Sequence, residues 1–239
     1  MLGTLLNIAG ILLGGIAGLI TSRPLSAHRQ SMLKVGLGAF TVWTGLKLTW
    51  MSLNGNLLQI GKQLLIVVLA LTLGRLIGRL LHLQKGMNRL GRFTREKIAA
   101  VQPDAKKRPG EGFITGAVLF CAAPLSVLGA TQDGLTGNWQ PLAIKALIDG
   151  LAAMAFVPMF GWGVLLAVVP VAAYQCGLTL GAHQLEPFLA AHHLMDTVNA
   201  TSGLLIFCVA LIILELRKIE VGDYLPALAF APLLTWLWS

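Results

Sequence analysis

Charge is scarce in this chain. Asp, Glu, Lys and Arg make up 12% of its 239 residues, against a hydrophobic fraction of 56% and a mean hydropathy of +0.75. An ordinary soluble domain is about 25% charged, so the shortage excludes a globular fold solvated by water. The apolar residues come in runs near twenty long, about the length a helix needs to cross hydrocarbon. Metal-binding and disulfide patterns are missing too. Cys121, Cys176 and Cys208 all lie inside apolar runs with no CxxC or CxxH spacing, so they read as small buried hydrophobes. His183, Glu186, His192, His193 and Asp196 cluster without HExxH or comparable spacing, and neither metal nor cofactor is expected. The start, Met1-Leu2-Gly3, has no basic n-region, and its apolar run continues to Ile20; this reads as a retained helix rather than a cleaved signal.

What is present is a set of membrane spans. Leu2–Ile20 is about 28 Å long as a helix. Met32–Met51 and Leu57–Leu81 follow, then Phe113–Ala130, Leu142–Phe160, Trp162–Leu180, Val198–Leu214 and a proline-interrupted Tyr224–Trp238. The pattern predicts an all-α integral membrane protein of about eight transmembrane helices, seven if Pro226 and Pro232 keep the last from crossing. Residues 1–81 form an N-terminal three-helix half, 82–112 a basic amphipathic helix and linker, and 113–239 the C-terminal half. Spans 1–3 and 6–8 alternate in opposite senses. "GLITSRPLSAH" and "GLTLGAHQLEPFLAAHH" echo each other after the first and sixth, which leaves two readings, an inverted repeat of spans 1–3 and 6–8 or a likeness of composition among strings rich in Gly, Leu and Ala.

The net charge of +8 sits in a few connecting segments. That placement fits topology signals and anionic headgroups rather than nucleic acid. Lys85, Arg89, Arg92, Arg95, Lys97, Lys106, Lys107 and Arg108 should be cytoplasmic, together with Arg23, Arg29, Lys34, Arg217 and Lys218. Residues 181–196 carry no Lys or Arg and read as an external loop, with both termini outside. Leu83, Met87, Leu90, Phe93, Ile98 and Val101 give the basic segment an apolar face for the membrane surface.

Two features point beyond packing. On the first span Asn7 shares a stripe with Gly10, Gly14 and Gly18, and Gly74 and Gly78 repeat the spacing on the third; small residues so placed admit another backbone, but an amide there needs a partner. In "LFCAAPLSVLGATQDGLTGNW" Pro124 removes a helical amide, while Gly129 and Gly134 permit irregular backbone beside Ser126, Gln132 and Asp133. Irregular backbone cannot face lipid, so one discontinuous span is expected there. The next span, "LAIKALIDGLAAMAF", sets Lys145 and Asp149 one turn apart on one face, with Asp149 roughly 10 Å deep. Intramembrane carboxylates commonly serve ion or proton paths. Ser126, Gln132, Asp133, Lys145 and Asp149 are therefore expected to converge on an ion or small solute, with Asn7 lining the same interior. No nucleophile arrangement accompanies Ser126 or the histidines, so no enzyme is expected.

"GTLLNIAGILLGGIAGLI", the broken-span string, "IKALIDG" and "VGDYLPALAFAPLL" resemble the YqgA/YdfK group of bacterial inner-membrane proteins, a domain-of-unknown-function family. The resemblance covers essentially the whole chain. It implies a multi-pass protein of the bacterial plasma membrane and supplies no substrate or catalytic residues. The expected function is a small secondary transporter or ion-coupled permease. An oligomeric passive channel and a non-transporting membrane scaffold or regulator are the alternatives, and the glycine stripes allow a homo-oligomer.

Overall fold

The computed structural model describes residues 1–21, 26–100 and 109–238. Arg23 and the stretch 101–108, with Val101, Lys106, Lys107 and Arg108 of the expected linker, lie outside the described residues. All regular structure among the described residues is helical. In chain order it comprises α1 (Leu2–Ile20), α2 (Ala27–Met51), α3 (Leu57–Leu80), α4 (Leu83–Ala99), α5 (Pro109–Cys121), α6 (Pro124–Thr136), α7 (Gln140–Phe160), α8 (Gly163–Leu166), α9 (Val168–Ala191), α10 (Met195–Ile213), α11 (Val221–Tyr224) and α12 (Ala227–Leu237).

Local chemistry explains many of these boundaries. Pro124 and Pro141 sit in the first turns of α6 and α7, where a missing amide hydrogen costs nothing. Asn56 caps α3 in a reciprocal pair: its side chain accepts from the Gln59 amide at 2.9 Å, and Gln59 Oε1 accepts from the Asn56 amide at 2.9 Å. Gly137 (φ 67°) and Gly161 (φ 89°) end α6 and α7 in backbone conformations that disfavour a side chain.

Among the described residues, five helices are long and apolar enough to cross a membrane: α1, α3, α7, the α8–α9 run and α10. A sixth crossing is available if α5 and α6, bent by 61° at their junction, count as one broken span. The protein is thus a multi-pass helical membrane protein with a discontinuous helix. Two expected spans are not among these. α2 carries Arg29, Lys34 and Lys47, and the apolar stretch Val221–Leu237 is short. The six tryptophans are all exposed, and Trp139 and Trp162 bracket α7, as interfacial anchors at both ends of a span would.

One boundary differs clearly from the sequence expectation. Residues 181–191, read as loop, continue α9 as helix to Ala191. Ala182 and Leu189 are buried and Glu186 half-buried, at i, i+4 and i+7, so one face still has something to pack on. The α8–α9 run of 29 residues is about 43 Å long, more than the hydrocarbon requires.

The chain forms two compact units that do not follow its linear thirds. One comprises residues 1–30 and 86–180, the other 31–85 and 181–239. In the first, α1 lies along α7 in parallel, with Gly10, Gly14 and Gly18 against the backbone carbonyls of Ala146, Gly150 and Met154. Its apolar centre is Ile11, Phe120, Ala153, Val157, Phe160, Val164, Ala167 and Val171. In the second unit Gly45 of α2 meets Gly203 of α10, while Gly74 and Gly78 of α3 meet Ala227 and Asp223. The stripes read from sequence are therefore helix contacts made backbone to backbone.

These contacts leave no room for a side chain. Replacing Gly14 by Val should destabilise the protein by about 1–3 kcal/mol or more, since the new atoms meet the Gly150 backbone. Gly177→Ala, where nothing lies within 4 Å, should be close to neutral. Urea unfolding of both variants in micelles checks the contrast.

Candidate functional site

The first unit holds a concentration of buried polar groups on α1, α6, α7 and α9. Thr4, Asn7, Ser126, Gln132, Asp133, Lys145, Asp149, Gln175 and Thr179 are each at most 5% exposed. At its centre the Lys145 ammonium donates directly to the Asp149 carboxylate, one turn along α7. α7 is 21 residues long, and Asp149 lies about 13 Å from its start, close to mid-span. A charge at that depth requires an opposite charge or several hydrogen bonds. Asp149 has the opposite charge, and the side-chain amide of Asn7 stands near enough to interact with its carboxylate.

That amide is reached because α1 presses its glycines on α7. Asn7 Nδ2 donates onward to Gln175 Oε1 at 3.3 Å, and Gln175 Nε2 donates to Ser126 Oγ at 3.0 Å. Hydrogen bonds thus join Asn7 through Gln175 to the first turn of α6, and Asn7 stands beside the Lys145–Asp149 pair. The Asn7 Oδ1 atom is buried without a partner. One turn away, Thr4 and Thr179 meet hydroxyl to hydroxyl at 3.4 Å.

Ser126 stands just beyond the break. The helix is interrupted at Ala122 and Ala123 between α5 and α6, and Pro124 opens the new segment. Pro124 takes away the donor that the Phe120 carbonyl would otherwise receive. Cys121, the last residue of α5, is near enough to Lys145 and Asp149 to feel both charges. The break is therefore next to the charged pair, as expected, but its extent is smaller. Gly129 and Gly134 were expected to be irregular; both lie inside the continuous α6 helix. Gly129 is pressed against Leu142, so its small size serves packing, and Gly134 is buried. The polar run Thr131–Gly134 is helical as well.

The expected residues separate into two places. Asn7, Ser126, Lys145 and Asp149 share the central network. Asp133 instead accepts from the backbone amides of Gly3 at 3.1 Å and Thr4 at 3.4 Å, with the amine of Met1 at 3.2 Å. It is a negative group on the positive end of α1. Gln132 is fully buried and accepts from Thr136, whose hydroxyl reaches its backbone oxygen at 2.9 Å and its Oε1 at 3.3 Å. Gln175, Thr179 and Thr4 belong to this polar cluster and were not among the residues expected to form the site. The available signal was spacing: Gln175 and Thr179 are four apart on one span, and Thr4 and Asn7 three apart on another.

A family model described as "Protein of unknown function (DUF554)" matches residues 2–236. The chain belongs to that family. It is similar to "Uncharacterized membrane protein YdfK" of Bacillus subtilis (strain 168), at 25% identity over 238 residues, covering 99% of this chain and 96% of the relative. It is also similar to "Uncharacterized protein YqgA" of Escherichia coli (strain K12), at 29% identity over 245 residues, covering 100% and 98%. No solved structure matches the chain. Bacterial relatives, one of them a membrane protein by its description, agree with the multi-pass character of the helices.

A buried pair is far more sensitive to loss of one member than of both. Lys145→Met should destabilise by about 3–5 kcal/mol, because it leaves the Asp149 carboxylate unpaired. Lys145→Met combined with Asp149→Leu should recover most of that loss. Denaturant unfolding of the two variants in micelles measures the difference.

Proposed function

We propose that this protein is a small ion-coupled permease of the bacterial plasma membrane, with its site between the broken span and α7. The observation that carries the proposal is the Lys145–Asp149 pair, buried at mid-span beside Asn7, which is itself hydrogen-bonded through Gln175 to the first turn after the break. A structural brace at mid-bilayer has little need of charge, since apolar residues of similar volume pack there as well or better. A pair that must open for an ion or solute does need it. In this mechanism Asp149 takes up the coupling ion or proton, and between turnovers Lys145 holds the Asp149 carboxylate or an anionic solute. Asp133 fixes the start of α1 and so the height of Asn7.

The permease has eight crossings in this view, with α2 as the second, α5–α6 as the fourth and α11–α12 as the last. Spans 1–3 and 6–8 form inverted repeats, which supply two related packings open to opposite sides. The exposed face of α4, with Lys85, Arg89, Arg92 and Arg95, lies on anionic headgroups at the cytoplasmic surface, and both ends of the chain are external. Neither nucleic acid nor a catalysed reaction enters the proposal, and copies of the chain associate through their helices.

The test is flux in proteoliposomes containing the full chain. Gradient-driven uptake that saturates is expected, and Asp149→Asn should lower it by roughly tenfold or more per folded molecule. Unsaturable conductance would identify a pore instead. Flux that Asp149→Asn leaves unchanged would remove the carboxylate from the mechanism.

A further inference from the structure

Resting on that reading, we infer that the site loads a proton and a small monoanion together, the proton on Asp149 and the anion on the Lys145 ammonium it releases. The argument begins with the orphan acceptor. The Asn7 amide points its NH2 at Gln175 and Asp149, and its Oδ1 is buried with nothing to accept from. A buried acceptor without a donor is a costly arrangement. It becomes useful in one circumstance. If Asp149 carries a proton, its carboxyl is a donor, and Asn7 turned over by half a rotation presents Oδ1 to it.

The neighbours follow without loss. Gln175, turned over in the same way, donates Nε2 to Asn7 Oδ1 and offers Oε1 to the Ser126 hydroxyl, reversing its present bond to Ser126 Oγ. The chain Asp149–Asn7–Gln175–Ser126 is therefore polar in one sense when Asp149 is ionised and in the other when it is protonated. Its far end is the first turn of α6, next to the 61° bend, so the state of Asp149 is felt where the span is broken.

Charge balance supplies the second ligand. The ion pair is neutral. Once the proton neutralises Asp149, the Lys145 ammonium stands unpaired at mid-span, and the turned amide of Asn7 has left its NH2 where the orphan oxygen was. Both are donors without acceptors. One negative charge with two or more acceptor atoms answers both, and the loaded site is neutral again. A hard metal cation fits poorly. It needs about six oxygen ligands, Lys145 already opposes it, and among the described residues Asn7 Oδ1 is the one buried side-chain oxygen of this network without a hydrogen-bond partner. Among the described residues the groups around Asp149 are Lys145 on its own helix, the Cys121 thiol on α5 with Tyr174 of α9 beside it, and the uncharged Asn7 of α1. Asp133 of α6 is engaged at the start of α1.

Infrared difference spectroscopy on the full chain in lipid, titrated with acid, reads the proton directly. A carboxylic C=O band should appear on acidification. It should vanish in Asp149→Asn and move to higher frequency in Asn7→Leu, whose fold is checked by its melting transition. Formate, as the monoanion probe, should raise the pH at which half the band is present, by about one unit per tenfold increase where binding is fully coupled. Sodium at equal ionic strength should not. A band that sodium removes, a midpoint indifferent to formate, or no band assignable to Asp149 in folded protein would each overturn the inference. Flux measured in parallel separates the two proposals. Sodium-driven uptake without the band overturns proton loading and leaves a permease. The band and its formate shift without any flux support the site and remove the permease.

Discussion

Hydrocarbon offers no partner to a charge or to an open backbone hydrogen bond, and the first unit is organised around that shortage. Asp149 sits near the middle of a 21-residue span and is held by Lys145 and Asn7. Asn7 reaches it only because Gly10 and Gly14 let α1 touch the α7 backbone. The break between α5 and α6, half-buried at Ala122 and Ala123, lies next to the same polar groups. Remove the close approach of α1 to α7, and the carboxylate loses its amide while the network loses its connection to α6.

Each unit uses one more device of the same kind. In the first, the carboxylate of Asp133 receives the amides at the start of α1. In the second, the buried carboxylate of Asp223 receives the Gln84 amide at 2.8 Å, at the start of α4, and Gln84 Oε1 in return accepts from the Gly222 amide at 2.8 Å. A negative side chain at the positive end of a helix fixes where that helix begins. For α1 this matters to the site, since a shift of one turn would carry Asn7 about 5 Å away from Asp149. For α4 it fixes the start of the helix that carries Lys85, Arg89, Arg92 and Arg95 on its exposed face.

Much of this was legible in the residues. The runs of α1, α3, α7 and α10 are long and apolar, and no soluble alternative competes with them. The Gly10–Gly14–Gly18 and Gly74–Gly78 stripes announced close helix contacts, because small residues at that spacing on a membrane span have one main use. Pro124 marked the broken span. The Lys145–Asp149 spacing fixed a shared face whatever α7 packed against. Less legible were Gly129 and Gly134, since glycine allows irregular backbone without requiring it, and α6 keeps both in helix. Residues 181–191, placed in a loop after a span ending at Leu180, instead continue α9, because Ala182, Glu186 and Leu189 keep an inward face.

By itself the sequence determined the solvent, the main spans, the interruption and the presence of a charged pair too deep to leave unpaired. These depend on composition and on spacing along single helices, where rise and angle per residue are fixed. Which polar residues meet was decided only by the tertiary structure. Gln175 joins Asn7 and Ser126 across separations of 168 and 49 residues, and Asp133 goes to the end of α1 instead of to Asp149. No local periodicity encodes those choices. They depend on which helix lies against which and at what height, and backbone contact through glycine sets both.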